Sequence, residues 1–281
     1  MAIDPDRLLN FQFPAVEQTY GTRDVILYAL GLGYGSHPLD RRELAFVYEK
    51  TLQVLPTFPL ALGFTSLRHF DLGINYSKVV HSAQQLHLHA PIPTEDTVVC
   101  ETCISDVWDL GEARGAILRV RRRITSRRTG ALIATTDMDA LCRADGGFGG
   151  VPAPQRTRPS ADAEPDLQVL VPTLPQQALL YRLCGDWNVL HADPAVASAA
   201  GFNAPILHGL ATFGIAVNRL MGAISGGAGS LRSVSGRFTA PFYPGETLLV
   251  KSWRTDHGCR FQAVAQERAV VVVDNGECVV D

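Results

Sequence analysis

The segment Tyr181–Gly214 reads YRLCGDWNVLHADPAVASAAGFNAPILHGLATFG and places Asp186, Asn188 and His191 in one short loop. A loop of that length can fold back so that a carboxylate and an imidazole face a common point. That pairing suits general acid–base work on a water or a substrate proton. Imidazole titrates near neutrality, and a neighbouring carboxylate orients it. The same segment continues through Pro205 to His208 and Gly209, where a long apolar stretch begins. First-turn amides of a helix are unpaired and carry partial positive charge. Gly209 has no Cβ to keep a carbonyl oxygen away from such an amide. An acid–base pair beside an oxyanion-stabilising amide fits chemistry next to an activated carbonyl, such as a thioester. Spacing alone leaves two plainer readings open: a capping loop for D-x-N-x-x-H, and a core position for His208. It defines an acid–base site, not a reaction.

The elements that must position these residues follow from local patterns. Asp193-Pro194 supplies an N-cap and a first-turn proline for a short helix, which Gly201 stops. HGLATFGIAVNRLMGAI, from His208 to Ile224, predicts a longer buried helix. Strands are predicted near 231–240, 246–254, 259–266 and 268–273, and Asn275-Gly276 predicts a two-residue hairpin turn into the last strand, ECVVD. In the first half, Leu39–Lys50 carries Leu44, Val47 and Tyr48 at helical spacing behind Asp40 as N-cap. Strand-like runs follow around 84–90, 97–108, 114–125 and 131–143. A buried helix followed by antiparallel strands, done twice, predicts an α+β layout.

The chain also repeats itself. VPAPQRTRPSADAEPD, residues 151–166, holds four prolines and predicts a semi-extended linker between a first half, 1–150, and a second, 167–281. HAPIPTEDTVVCETCISD around Ala90 and TAPFYPGETLLVKSWRTD around Ala240 share Ala-Pro, a hydrophobic residue, Pro, an acidic residue, Thr and a β-rich run. With the linker between the copies, the match points to internal duplication.

Composition narrows the class. The 281 residues are 46% hydrophobic and 19% charged, enough for a large core. A formal net charge of −3 argues against a nucleic-acid partner. No secretory signal opens the chain, and its most apolar stretch, 209–224, is broken by Asn218 and Arg219. No membrane association and a cytoplasmic location are therefore expected. The closing CVVD is neither a prenylation box nor a peroxisomal address. Cys100 and Cys103 form a lone C-x-x-C within a β-rich run, which sends the two thiols to opposite faces. His87 and His89 share a strand face but have no third ligand nearby in sequence, so no metal is expected. The arginines of ILRVRRRITSRR, residues 117–128, offer a phosphate patch or the solvated face of a strand; the alternation favours the strand.

YRLCGDWNVLHADP followed by GFNAPILHGLATFG resembles the hydratase 2 motif of the MaoC-like dehydratases. That family includes the (R)-specific 2-enoyl-CoA hydratase unit of peroxisomal multifunctional enzymes. LYALGLGYG, ELAFVYEKTLQVLPTF, VVHSAQQLHLHAPIP, ADGGFGG and GRFTAPFYPGETL resemble matching stretches in the same order, so the likeness covers nearly the whole chain. It implies a double hot-dog: two half-domains, each a sheet wrapped about a helix, the first accommodating the acyl group and the second catalytic. It implies reversible hydration of trans-2-enoyl-CoA to the (3R)-3-hydroxyacyl-CoA. No cofactor is used, CoA being part of the substrate, and a homodimer is expected. By position in the motif, Asp186 and His191 correspond to the catalytic pair, Asn188 to its supporting polar residue and Gly209 to the amide donor. His81 and Ser82 fall near the substrate, as do Phe238, His208, Trp187, Val189 and Leu190. Cys184 stands where Ser is usual, Val189 where Pro is, Ser82 replaces a Gly, and Leu110 appears where some members carry a Lys. Two alternatives on the same fold are a non-catalytic acyl-CoA-binding subunit and an acyl-CoA thioesterase.

Overall fold

The computed structural model of the chain describes residues 3–154, 164–225 and 231–280. Most of the predicted linker, 155–163, lies outside the described residues. The first half holds α1 (Pro5–Leu9), β1 (Val16–Tyr20), α2 (Thr22–Gly31), α3 (Arg41–Leu44), β2 (Val79–Leu88), β3 (Asp96–Asp109), β4 (Ala116–Ser126) and β5 (Leu132–Cys142). The second holds β6 (Leu167–Pro172), α4 (Gln177–Tyr181), α5 (Pro194–Ala199), α6 (Gly209–Ser225), β7 (Leu231–Phe238), β8 (Thr247–Thr255), β9 (Gly258–Ala265) and β10 (Val270–Val280).

The strands form one ten-stranded sheet in the order β1-β3-β4-β5-β2-β7-β10-β9-β8-β6. Read outward from the centre, the two halves have the same strand sequence. The seam is the antiparallel pair β2–β7, with Gln85 opposite Ser235 and Leu86 opposite Val234. The repeated Ala-Pro stretches are the equivalent β2–β3 and β7–β8 connections. The sequence repeat is thus a repeat of topology, in an α+β layout.

Helix α6 is the axle of the second half. Phe213, Ile215, Ala216, Val217 and Leu220 are fully buried, in one core cluster that also takes Tyr28, Phe58, Leu86 and Ile124 from the first half. Of the two polar residues that interrupt it in sequence, Asn218 is buried and Arg219 partly so. Asn218 Nδ2 donates to Thr57 Oγ1 at 2.5 Å and to the Gly214 carbonyl at 2.7 Å. Arg219 pairs with Glu43 and donates to the Gly33 carbonyl, its guanidinium 4.1 Å from the Tyr34 ring. Each fixes the irregular segment after α2 onto α6, so neither polar residue breaks the helix.

Two sequence expectations are corrected. The helix predicted over Leu39–Lys50 is only α3, followed by turns and a 3₁₀ turn at Glu49–Thr51. Asp40 caps it as predicted. Glu43 then turns in to Gly35 N and Arg219, while Leu39 and Leu44 remain exposed, so no continuous apolar stripe forms. The first-half helix that packs inward is α2, through Val25, Tyr28 and Ala29. Asn275-Gly276 is not a hairpin but an irregularity inside β10, which shifts register between Asp274 and Glu277 and pairs with β7 and β9 on both sides of it. Asn275 takes the left-handed φ of 51°, and a Cβ on Gly276 would lie 2.5 Å from the Phe261 ring. The actual reversal before β10 is a 3₁₀ turn at Gln266–Arg268.

Strand alternation also places the other polar and thiol side chains noted in the sequence. Cys100 is buried and Cys103 exposed, as their spacing requires. Arg119 and Arg121 of β4 lie across from Asp139 and Asp137 of β5 in two-pronged ion pairs, with closest contacts of 2.8 and 2.7 Å. Arg122 faces inward and donates to the Leu62 carbonyl. His89 meets Thr135 Oγ1 at 3.0 Å. No helix among the described residues is long and apolar enough to cross a membrane.

Candidate active site

The loop between α4 and α5 is shaped by backbone chemistry at each step. A 3₁₀ turn at Arg182–Cys184 ends at Gly185, whose φ of 122° few other residues adopt. Asp186 Oδ1 then accepts from Asn188 N at 3.2 Å, and Asn188 Oδ1 accepts from Leu190 N at 3.2 Å. Asn188 thereby caps a second 3₁₀ turn, Val189–His191, which turns the histidine inward. Its side-chain oxygen thus shapes the loop. Asp193 closes the segment by capping α5 through Ala195 N at 2.8 Å.

His191 is 7% exposed, and its Nδ1 lies 2.8 Å from the carbonyl oxygen of Ile206. A carbonyl only accepts, so Nδ1 carries the hydrogen and Nε2 keeps its lone pair when the ring is neutral. Burial pulls the His191 pKa below its ordinary value, opposed by the Ile206 bond and the Asp186 charge. Donor atoms of Asp186, His191 and His208 all lie within 4.8 Å of one another. Asp186 is half-buried, so the pair opens to one side. The predicted juxtaposition of carboxylate and imidazole is therefore present. Such a trio also has the composition of a metal-ligand set. The two imidazoles are stacked 3.7 Å apart at 27°.

Gly209 is the first residue of α6, bonded directly to His208. A Cβ there would lie 3.3 Å from the Phe238 ring, so the glycine lets that ring pack close to the start of the helix. Phe238 in turn meets His81 of the first half at 4.7 Å between ring centres. His81 and Phe238 thus adjoin the start of α6, across the seam between the halves. Burial holds the His81 pKa down at about 4.

Other predicted substrate contacts fall elsewhere. Ser82 sits in a bulge of β2 and its hydroxyl donates to the Asp139 carbonyl on β5 at 2.9 Å, so that hydroxyl is spent on the sheet. Trp187 and Val189 are 57% and 54% exposed and stand on the rim, with Leu190 half-buried behind them. Arg182 stacks over Trp187 at 4.7 Å. His208 is only 1% exposed and stacks on the ring of His191. The Ile206 carbonyl was invisible to sequence reasoning, because any residue type presents one.

The fold and this site define a MaoC-like dehydratase, and the chain belongs to that family. Residues 156–276 match the model of the MaoC like domain and residues 18–144 that of the MFE-2 hydratase 2 N-terminal domain. The chain is 40% identical to the enoyl-CoA hydratase ChsH3 of Mycobacterium tuberculosis, over 98% of both chains. The solved MaoC-like dehydratase of Phytophthora capsici superposes with a TM-score of 0.87 at 29% identity, over 98% of both chains. A Mycobacterium tuberculosis protein described as a double hotdog fold gives 0.58 at 16% identity, covering 96% of this chain and 94% of its own. The double hot-dog expected from the sequence is the fold of the chain.

Proposed function

We propose that this protein is an (R)-specific enoyl-CoA hydratase, adding water reversibly to trans-2-enoyl-CoA to give the (3R)-3-hydroxyacyl-CoA. The observation that carries the reading is the Asp186–His191 pair, with Nδ1 of His191 committed to Ile206 and Nε2 left to work. Asp186 and His191 hold a water; its oxygen bonds the β-carbon while one proton passes to the pair. Electron density shifts to the thioester oxygen, which the Gly209 amide stabilises, and a proton from the pair then reaches the α-carbon. Oxygen, hydrogen and charge balance, so the cycle needs no cofactor beyond the CoA carried by the substrate. The second half holds the catalytic groups, and the first half, through His81, borders the acyl group.

The test pairs two readouts on one mixture: loss of the conjugated enoyl absorbance and release of free thiol. Absorbance loss without thiol supports hydration. Thiol release would make the protein a thioesterase, and tight binding with neither would make it an acyl-CoA-binding subunit. Sedimentation reads the homodimer that belongs to this proposal.

A further inference from the structure

We propose that His208 is a positioning residue of the acid–base pair, holding the main chain of Asp186 and the ring plane of His191 from the position that starts α6. The inference rests on the site proposed above.

His208 Nε2 lies 3.1 Å from the carbonyl oxygen of Asp186. A carbonyl only accepts, so Nε2 carries the hydrogen and Nδ1 the lone pair. That Nδ1 is buried and has no partner among the described residues. A buried acceptor left unpaired costs about 1–3 kcal/mol, so packing alone would favour a carbocyclic ring here. The ring that is present supplies a donor that holds the Asp186 carbonyl.

Its face serves His191. The two imidazole centres are 3.7 Å apart and the rings 27° from parallel. Tyr181 crowds the same plate at 5.0 Å, and Thr212 bonds the His208 carbonyl through both N and Oγ1. The plate is therefore fixed to the first turn of α6. A second positive charge beside His191 would oppose its taking a proton. Burial, then the charge of His191 and of Arg182, keeps His208 neutral, its pKa held down at about 3. One uncharged ring thus links the main chain of Asp186, the His191 imidazole and the Gly209 amide, to which it is joined by a single peptide bond.

Two variants separate the functions of the ring. H208F keeps a plate and deletes the donor; H208Q keeps a donor and deletes the plate. Each is expected to lower kcat for crotonyl-CoA about 10–100-fold, since small misplacements of reacting groups cost up to about that much. KM should stay within about threefold and the thermal midpoint within a few degrees, as for a positioning loss rather than a lost substrate contact. Water reaching His191 in H208Q should raise the acid limb of the kcat/KM profile toward the ordinary imidazole range, and H208F should leave it nearer wild type. Wild-type kcat in both variants would overturn the proposal, as would losses that track unfolding with the acid limb unmoved. Imidazole ¹⁵N spectra supply a readout independent of turnover. His208 should remain a neutral Nε2–H tautomer across about pH 5 to 8; titration in that range, or the other tautomer, overturns the proposal. Absence of hydration by wild type together with the expected spectra would instead remove the reaction assigned above.

Discussion

The Nδ1–H of His191 donates to the main-chain carbonyl of Ile206, 2.8 Å away and just ahead of α6. This bond sets the tautomer: Nε2 is the basic nitrogen of the ring. H191A and D186A should each lower hydration of crotonyl-CoA by about 10²–10⁴-fold, the usual worth of positioned acid–base groups. Both should keep wild-type circular dichroism. Near-normal turnover by either variant would remove that residue from the mechanism.

Gly209 opens α6, the helical position where proline is best tolerated because its amide is unpaired anyway. G209P therefore deletes one N–H while keeping the helix start. Loss of an oxyanion donor costs about 10²–10³ in kcat, and that is the expected drop, read alongside helicity. A folded G209P enzyme with wild-type kcat would rule out this amide as the donor. G209A retains the N–H but sets a methyl against Phe238, and should lose less.

Burial depresses His81 to about 4 and His208 to about 3 from an ordinary 6.5. Below pH 6.5 the unfolded chain takes up protons that the folded chain refuses. Stability from these two groups is thus fully present above the unfolded pKa and falls with pH through the window down to about 4 and 3. The loss is about 1.4 kcal/mol per pH unit for each group. Urea midpoints measured between about pH 6.5 and 5 should fall accordingly; a flat dependence would mean that the folded protein protonates both rings readily.

Glu43 and Arg219 form an ion pair whose side chains are 6% and 17% exposed. Removing one partner leaves the other charge buried, at about 3–5 kcal/mol. E43A should lower the unfolding free energy measured by urea denaturation by that much, and the double variant E43L/R219M should recover most of it. A loss below about 1 kcal/mol in E43A would place the pair among surface bridges of little worth.

Much of this molecule was legible in one dimension because the signals are local. The cap at Asp193, the apolar run of α6 and the alternation of β3 and β4 each express a period or a dihedral preference carried by adjacent residues. The duplicated Ala-Pro stretch marked equivalent connections without coordinates. Where local signals competed with distant partners, sequence reading failed. Leu39–Lys50 has helical spacing, but Glu43 bends inward to Arg219. Asn275-Gly276 has hairpin chemistry, yet neighbours pair on both sides and hold β10 as one strand with a bulge.

The site divides in the same way. Residue types and spacing singled out the groups proposed to handle protons and charge: Asp186, His191 and the Gly209 amide. Tertiary structure alone decided which nitrogen of His191 is basic, because its partner is a main-chain carbonyl fifteen positions away in sequence. Packing likewise set His208 as a buried plate against His191, and engaged the Ser82 hydroxyl with β5. Protonation and orientation depend on what lies across space, and one residue's identity carries no record of that.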